Sequence, residues 1–226
     1  AFVLLIMLMA TAGCTKTEKK IIVASKPHTE QYILAEIITQ LIENKTDIKV
    51  ERKLGIGGGT SNIHPAMLKG DVDIYPEYTG TAWLFVLKEE PGKAKGPMYD
   101  ALKKAYSEKF HIKWLGLYGF NNTYALALPE NAAADNNINT FSDLARVSNQ
   151  YIFGAEYDFF ERNDGYNGLV KAYGFNFKDT KEMDIGLKYT AIASKKVDVI
   201  DAFSTDGLLL KEKLKVLKDD RNYFPA

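Results

Sequence analysis

The chain has one cysteine in 226 residues, so no disulfide can form within it. A domain of this size buries enough apolar surface to stand without one, even outside the cytoplasm. It has no excess of either charge, with 29 basic and 29 acidic side chains. A nucleic-acid binder would show a basic surplus or stripe, so that class is excluded. Three histidines occur, His28, His64 and His111, scattered without the spacing of a metal site. They read as structural, and no metal is expected. The glycine run GIGGG at 55–59 lacks the following Gly-Lys-Ser/Thr of a phosphate loop and does not have GxGxxG spacing, which argues against a nucleotide. No Ser-His-Asp order or other nucleophile–base pair can be read. Asp71 and Asp73 read as a solvated strand edge, not as an acid/base pair.

Long apolar runs are also missing. The opening stretch Ala1 to Ala10 is too short to span a bilayer, which takes roughly 20 apolar residues. It fits the apolar region of a secretory signal peptide. Thr11-Ala12-Gly13-Cys14 follows and resembles the lipobox of a bacterial lipoprotein, with Thr11 where leucine is usual. That resemblance implies lipidation at Cys14 and a lipid-anchored, extracytoplasmic protein. The alternative is a free buried cysteine on an ordinary helix. With no initiating Met and no basic region, the sequence is expected to begin inside its leader. Residues 1–19 are then leader remnant and tether, the tether being the short charged stretch that begins at Thr15.

What the chain has is tyrosine: 13 of them, against 2 tryptophans. Lys20 to Ser25 reads as a buried strand. Thr29-Glu30-Gln31 opens a helix whose Ile33, Ile37 and Leu41 recur at a spacing of four and mark its buried face. Strands are expected at Ile48–Leu54 and Val72–Ile74, with Thr60 or Ser61 capping the helix after the glycine run. Helices are expected at Thr81–Leu87 and Met98–Phe110, and strands at Ile112–Tyr118 and Thr123–Leu128. The pattern then restarts. Phe141–Val147 and Ile185–Ser194 read as helices, 159–173 as partly helical, and Tyr151–Gly154 and Val197–Ala202 as strands. Alternating strands and helices predict an α/β fold with a mainly parallel sheet. Its two lobes, 20–123 and 124–226, meet at a crossing strand near Tyr124.

Four polar segments lie at predicted strand ends or at this crossover, where open α/β folds bind ligands. They are Ser25 to Gln31, Tyr75 to Thr81, Asn121 to Tyr124 and Asp201 to Gly207. Tyrosine in such places suits a quaternary ammonium. That group has no N–H to donate, its methyls are apolar and its charge is diffuse. Ring faces supply apolar contact and negative potential together, at about 0.5–2 kcal/mol each.

The segments SKPHTEQYILAEII, GDVDIYPEYTGTA, FGAEYDFFERNDGYNGL and VDVIDAFSTDG resemble the glycine betaine/carnitine/choline-binding lipoproteins of osmoprotectant ABC transporters. The match runs from about Ile21 to Ala226, with the four motifs in the family's order. The resemblance implies a two-lobed, type II periplasmic-binding-protein fold with the ligand between the lobes. It implies no cofactor, no catalysis, and partnership with ABC permease subunits. Carried over by position, Tyr78 and Tyr124 are cage members, and Phe203 stands where tyrosine is usual. Gln31 and Thr81 match polar ligand contacts. Arg162 matches a residue that faces the ligand carboxylate in some relatives; its alternative is a surface helix arginine. A further cage tyrosine would fall just beyond Ala226, so the sequence is expected to stop short of the segment that returns to the first lobe. Two rival readings remain: a receptor for another solute such as an amino acid, and an enzyme on the same fold.

Overall fold

A computed structural model describes residues 19–224. Cys14 and the leader lie outside the described residues. Near the N-terminus, β1 (Lys20–Ala24) pairs in parallel with β2 (Lys49–Lys53), Lys20 lying opposite Lys49. Between them runs α1 (Thr29–Lys45), packed on both strands. Its Gln31, Leu34, Ala35 and Thr39 face inward. The Ile33, Ile37 and Leu41 stripe expected to be buried is instead 50–57% exposed. The helix carries two candidate faces, and the mixed one, not the isoleucine-leucine stripe, meets the sheet.

Val72–Ile74 is not a full strand. It makes one parallel bridge, Ile74 to Val23, and Asp73 accepts the Ile22 N–H at 2.7 Å. After the glycine loop comes α2 (Thr60–Leu68), whose N-cap is Gly59, not Thr60 or Ser61. The next turn, α3 (Thr79–Thr81), continues into a π-helical turn at Ala82–Val86. That turn and α4 (Met98–Phe110) bury Trp83, Leu84, Leu102 and Tyr106 against each other. Residues 112–118 form no strand. Their alternation is real, since Ile112 and Trp114 pack inward while Leu115 and Leu117 point out. No strand pairs with this segment among the described residues, and alternation without a partner for the N–H and C=O groups makes no ladder.

The second sheet has the order β5-β4-β6-β3-β7. Its strands are β3 (Tyr124–Pro129), β4 (Ile152–Glu156), β5 (Asp179–Met183), β6 (Val199–Phe203) and β7 (Leu214–Val216). It is mixed and not mainly parallel: β4 runs parallel to β5 and β6, while β3 runs antiparallel to β6 and β7. Helices α5 (Glu130–Asp135), α6 (Phe141–Val147), α7 (Tyr157–Glu161), α8 (Tyr166–Tyr173), α9 (Lys188–Ala193) and α10 (Leu208–Lys211) complete it. Thr140 caps α6 through a reciprocal box with Asp143. Successive side chains of β3 go to opposite faces. Leu126 and Leu128 join Phe141, Phe153, Phe159 and Leu169 on one side, and Ala127 joins Ile192 and Ile200 on the other. Strand β5 (DTKEM) is almost wholly polar and β7 (LKV) is only three residues long, too little for a period to be read. No helix of the described residues is long and apolar enough to cross a membrane.

Candidate functional site

A pocket of about 680 Å³ lies where the two sheets approach each other. This is within the range of roughly 300–1,000 Å³ usual for small-ligand sites. From the first sheet and its helices come Lys26, His28, Glu77, Tyr78 and Thr81. From the second come Tyr124, Glu156, Asp158, Arg162 and Phe203. A third wall is the connector, with Trp114, Tyr118 and Phe120.

Sheet register builds the aromatic side. Tyr124, the first residue of β3, sits directly opposite Phe203, the last of β6, in the antiparallel pair. Cross-strand neighbours of this kind are about 4.5–5.5 Å apart at Cβ. Their rings meet at 5.5 Å between centroids, and Phe159 and Phe224 close on Tyr124 at 4.9 and 5.7 Å. The Tyr124 hydroxyl donates to Glu156, the last residue of β4, at 2.5 Å. Burial and the Glu156 carboxylate push the Tyr124 phenol well above its ordinary range, so it stays neutral.

Tyr75 and Tyr78 take different fates. Tyr75 packs on the small core around Ala24, Ile63 and Val72. Tyr78 lines the pocket, and its hydroxyl donates to Glu30. Gln31 is fully buried beside that hydroxyl. It is not part of the pocket lining, although its Nε2 has no hydrogen-bond partner among the described residues. Asn122 donates to the same Glu30 at 2.9 Å.

The pocket also holds Lys26, His28, Glu77, Glu156 and Asp158, none of which the sequence reading named as a site residue. Lys26 and Glu77 form a buried ion pair at 2.6 Å, and Glu77 also accepts the Thr60 hydroxyl at 2.7 Å. His28 is held near neutral by burial and by the Lys26 and Lys188 charges, which pull its pKa to about 3. Glu156 ends β4 and Asp158 comes just after it, at the carboxyl end where α/β sheets place ligands. That position was the available signal. Nothing local distinguished them from surface carboxylates.

Arg162 is a buried pocket residue, 4% exposed, and not a surface helix arginine. Asp164 grips it at 2.9 and 2.6 Å, and its Nη1 donates to Thr81 across the pocket at 3.1 Å. The guanidinium also lies 5.2 Å from the Tyr124 ring centroid. Phe203 has Lys188 over its ring at 4.2 Å, with His28 tilted against it at 4.8 Å. The structure therefore brings Tyr78, Thr81, Tyr124, Arg162 and Phe203 to one pocket, with Gln31 behind it. Chemically the pocket offers ring faces and carboxylates for a cation, and one guanidinium for an anion.

Residues 19–226 match the family described as the substrate binding domain of ABC-type glycine betaine transport system. The chain is 51% identical over 208 residues to the ergothioneine transport permease/ergothioneine binding protein EgtU of Helicobacter pylori, covering 92% of this chain and 37% of that protein. It is 42% identical over 199 residues to the carnitine transport binding protein OpuCC of Listeria monocytogenes, covering 87% and 64%. The chain thus spans less than two thirds of either relative. Among solved structures it resembles a glycine betaine/carnitine/choline ABC transporter protein, with TM-score 0.63, 33% identity, and coverage of 91% and 76%. Lactococcal OpuAC, solved closed with glycine betaine, is 16% identical with TM-score 0.55, covers 91% and 73%, and speaks for the fold alone. The α/β fold is related to that of the type II periplasmic binding proteins. The chain belongs to the family of substrate-binding domains of ABC-type glycine betaine transport systems.

Proposed function

We propose that this chain is the extracytoplasmic ligand-capturing part of an ABC importer for small quaternary amines. Residues 20–123 and 124–226 act as two lobes, the pocket between them is the ligand cleft, and no bond of the ligand is made or broken. Tyr78, Tyr124 and Phe203 contact the ammonium, and Arg162 reads the carboxylate of a zwitterion. Gln31 and Thr81 supply polar support. Cys14 holds the mature protein to the membrane as a lipid anchor, which fractionation of a Cys14→Ala variant checks.

The observation that carries this reading is the pairing of Tyr124 with Phe203 beside Glu156, a ring-and-carboxylate wall facing a buried arginine. An amino-acid receptor would want a carboxylate left free to bind an ammonium N–H, but Glu77 and Glu156 already accept from Lys26 and Tyr124, and Asp158 from Thr60 and Ser61. Glycine betaine, carnitine and choline form the osmolyte panel. A larger betaine is a second reading, favoured by the aromatic third wall at Trp114, Tyr118 and Phe120. Ergothioneine, named for the 51% identical relative, joins a trimethylammonium carboxylate to a flat ring that such a wall would stack.

Calorimetric titration with these four ligands and arginine is the test. Micromolar or tighter binding of a quaternary amine, without arginine binding, is expected. Binding of arginine alone overturns the proposal. In the same titration Arg162→Ala should weaken carboxylate-bearing ligands by about 1.5–3 kcal/mol, the worth of a charge-assisted hydrogen bond, and choline much less. Equal losses would mean that Arg162 serves only to bridge Thr81 and Asp164.

Affinity should also depend on pH. Asp158 faces the pocket together with Glu156 and Glu77, opposite Lys26. Burial, with the Glu156 and Glu77 charges, raises its carboxyl to about 6, against the Ser61 hydrogen bond and Lys26. A bound cation favours the ionised form, so binding expels the proton. Affinity should be level above that value and fall as the pH drops below it, by up to about tenfold per unit. Titration from pH 8 to 5 checks this, and Asp158→Asn should flatten the curve. A flat wild-type curve would place the cation away from Asp158.

A further inference from the structure

The glycine run at 55–59 is neither a phosphate loop nor part of the pocket wall. It leads from β2 into α2, and it touches the other half of the molecule. The Gly58 N–H donates to Asp184 Oδ2 at 3.2 Å. The Thr60 N–H donates to Asp158 Oδ2 at 3.0 Å, and the Ser61 hydroxyl donates to the other oxygen of Asp158. Asp158 follows β4 and Asp184 follows β5, both in the second sheet. Two carboxylates from one half thus seat on the amides of a single loop in the other half.

The glycines are what permits the approach. A Cβ on Gly57 would lie 2.8 Å from Asp184 Oδ2, and one on Gly59 would lie 2.9 Å from Asp158 Oδ2. Real Cβ atoms do not sit that close. The carboxylates also meet the positive end of α2, which favours negative charge there. These contacts are charged and polar, so both sides can be solvated again when they part. Contacts of this kind suit an interface that opens and closes.

We propose that the Gly57–Ser61 loop is the receiving half of a closure latch. Asp158 and Asp184 dock on it whenever the two halves come together, an equilibrium that ligand pulls further toward closure, and they hold the closed state. The inference rests on the two-lobe binding reading above. The latch adds nothing to the first encounter with ligand, so it governs release and not capture. It also assigns a role to the one conspicuous motif that neither the pocket nor the fold explains.

The test is Gly57→Val, which wedges the socket without removing a polar group or touching the pocket lining. Asp184→Ala removes one carboxylate and serves as the second variant. Dyes on cysteines introduced at Lys45 and Lys171, in a Cys14→Ser background, report the distance between the halves by single-molecule energy transfer. Stopped-flow mixing with ergothioneine, and separately with carnitine, gives the rates. Both variants should release ligand on the order of tenfold faster with association nearly unchanged, since interface changes act mainly on dissociation. The short-distance population in saturating ligand should shrink. If the wild type binds neither ligand, the binding reading has failed, and the latch is judged on the ligand-free protein. There, Gly57→Val should still shift the distances outward from those of the wild type. Wild-type distances and release rates in both variants, with or without a lowered melting temperature, would overturn the latch and make these contacts static packing.

Discussion

Asp201→Ala is expected to unfold at a urea concentration well below the wild type's, a loss of about 3–5 kcal/mol. Asp201 and Lys188 are paired at 2.7 Å with side chains 0% and 1% exposed. Asp201 also accepts the Glu156 N–H at 3.2 Å. Taking two charges from water is costly, and their attraction offsets that cost only while both are present. Alanine at 201 strands the Lys188 ammonium in the core and orphans an N–H at the end of β4. Burial pushes the Asp201 carboxyl upward, and Lys188 opposes that shift. Asp201→Asn should lose less, because its amide oxygen still accepts from one of the two neighbours. Replacing the pair together, Lys188→Met with Asp201→Leu, should recover most of the stability, since an apolar pair of similar volume pays no desolvation. A loss below about 1 kcal/mol in Asp201→Ala would show that Lys188 gives up its proton or reaches water. Lys188 lies over the Phe203 ring. The same variant should therefore loosen one wall of the proposed cage.

Tyr124→Ala should weaken binding of a quaternary amine by about 1–2 kcal/mol, or roughly 5–30-fold. Tyr78→Ala should do the same within this range. Tyr124 is expected to have the larger effect, because its ring is also held among Phe159, Phe203 and Phe224. Its removal loosens neighbouring rings and lowers stability, so a melting curve must accompany the titration. Tyr124→Phe separates the effects. It keeps the ring face and frees the Glu156 carboxylate that the hydroxyl now engages. A ligand gripped through ring faces should lose much less with Phe than with Ala. Equal losses would assign recognition to the hydroxyls, and no loss in either would remove Tyr124 from the site.

The sequence by itself determined the α/β character, and its motifs already resembled the family that the comparisons then showed. It placed α4 at Met98–Phe110 and located most strands to within a few residues. It also led to the pocket, because Tyr78, Tyr124 and Phe203 stand in polar segments at or near strand ends or the crossover, while Arg162 came from the family resemblance alone. Burial within one element leaves a local trace of period two or near three and a half, and that trace can be read. Tertiary structure alone decided which face of α1 meets the sheet, and it left residues 112–118 without a strand to pair with. It also decided partners. Tyr124 meets Phe203 through register, Asp201 meets Lys188 across 13 residues, and Asp158 reaches Thr60 across 98. A polar side chain carries the same residue type whether it is solvated, ion-paired or docked on another segment. Its role depends on which distant group the folded chain brings within hydrogen-bond reach, and no local period encodes that.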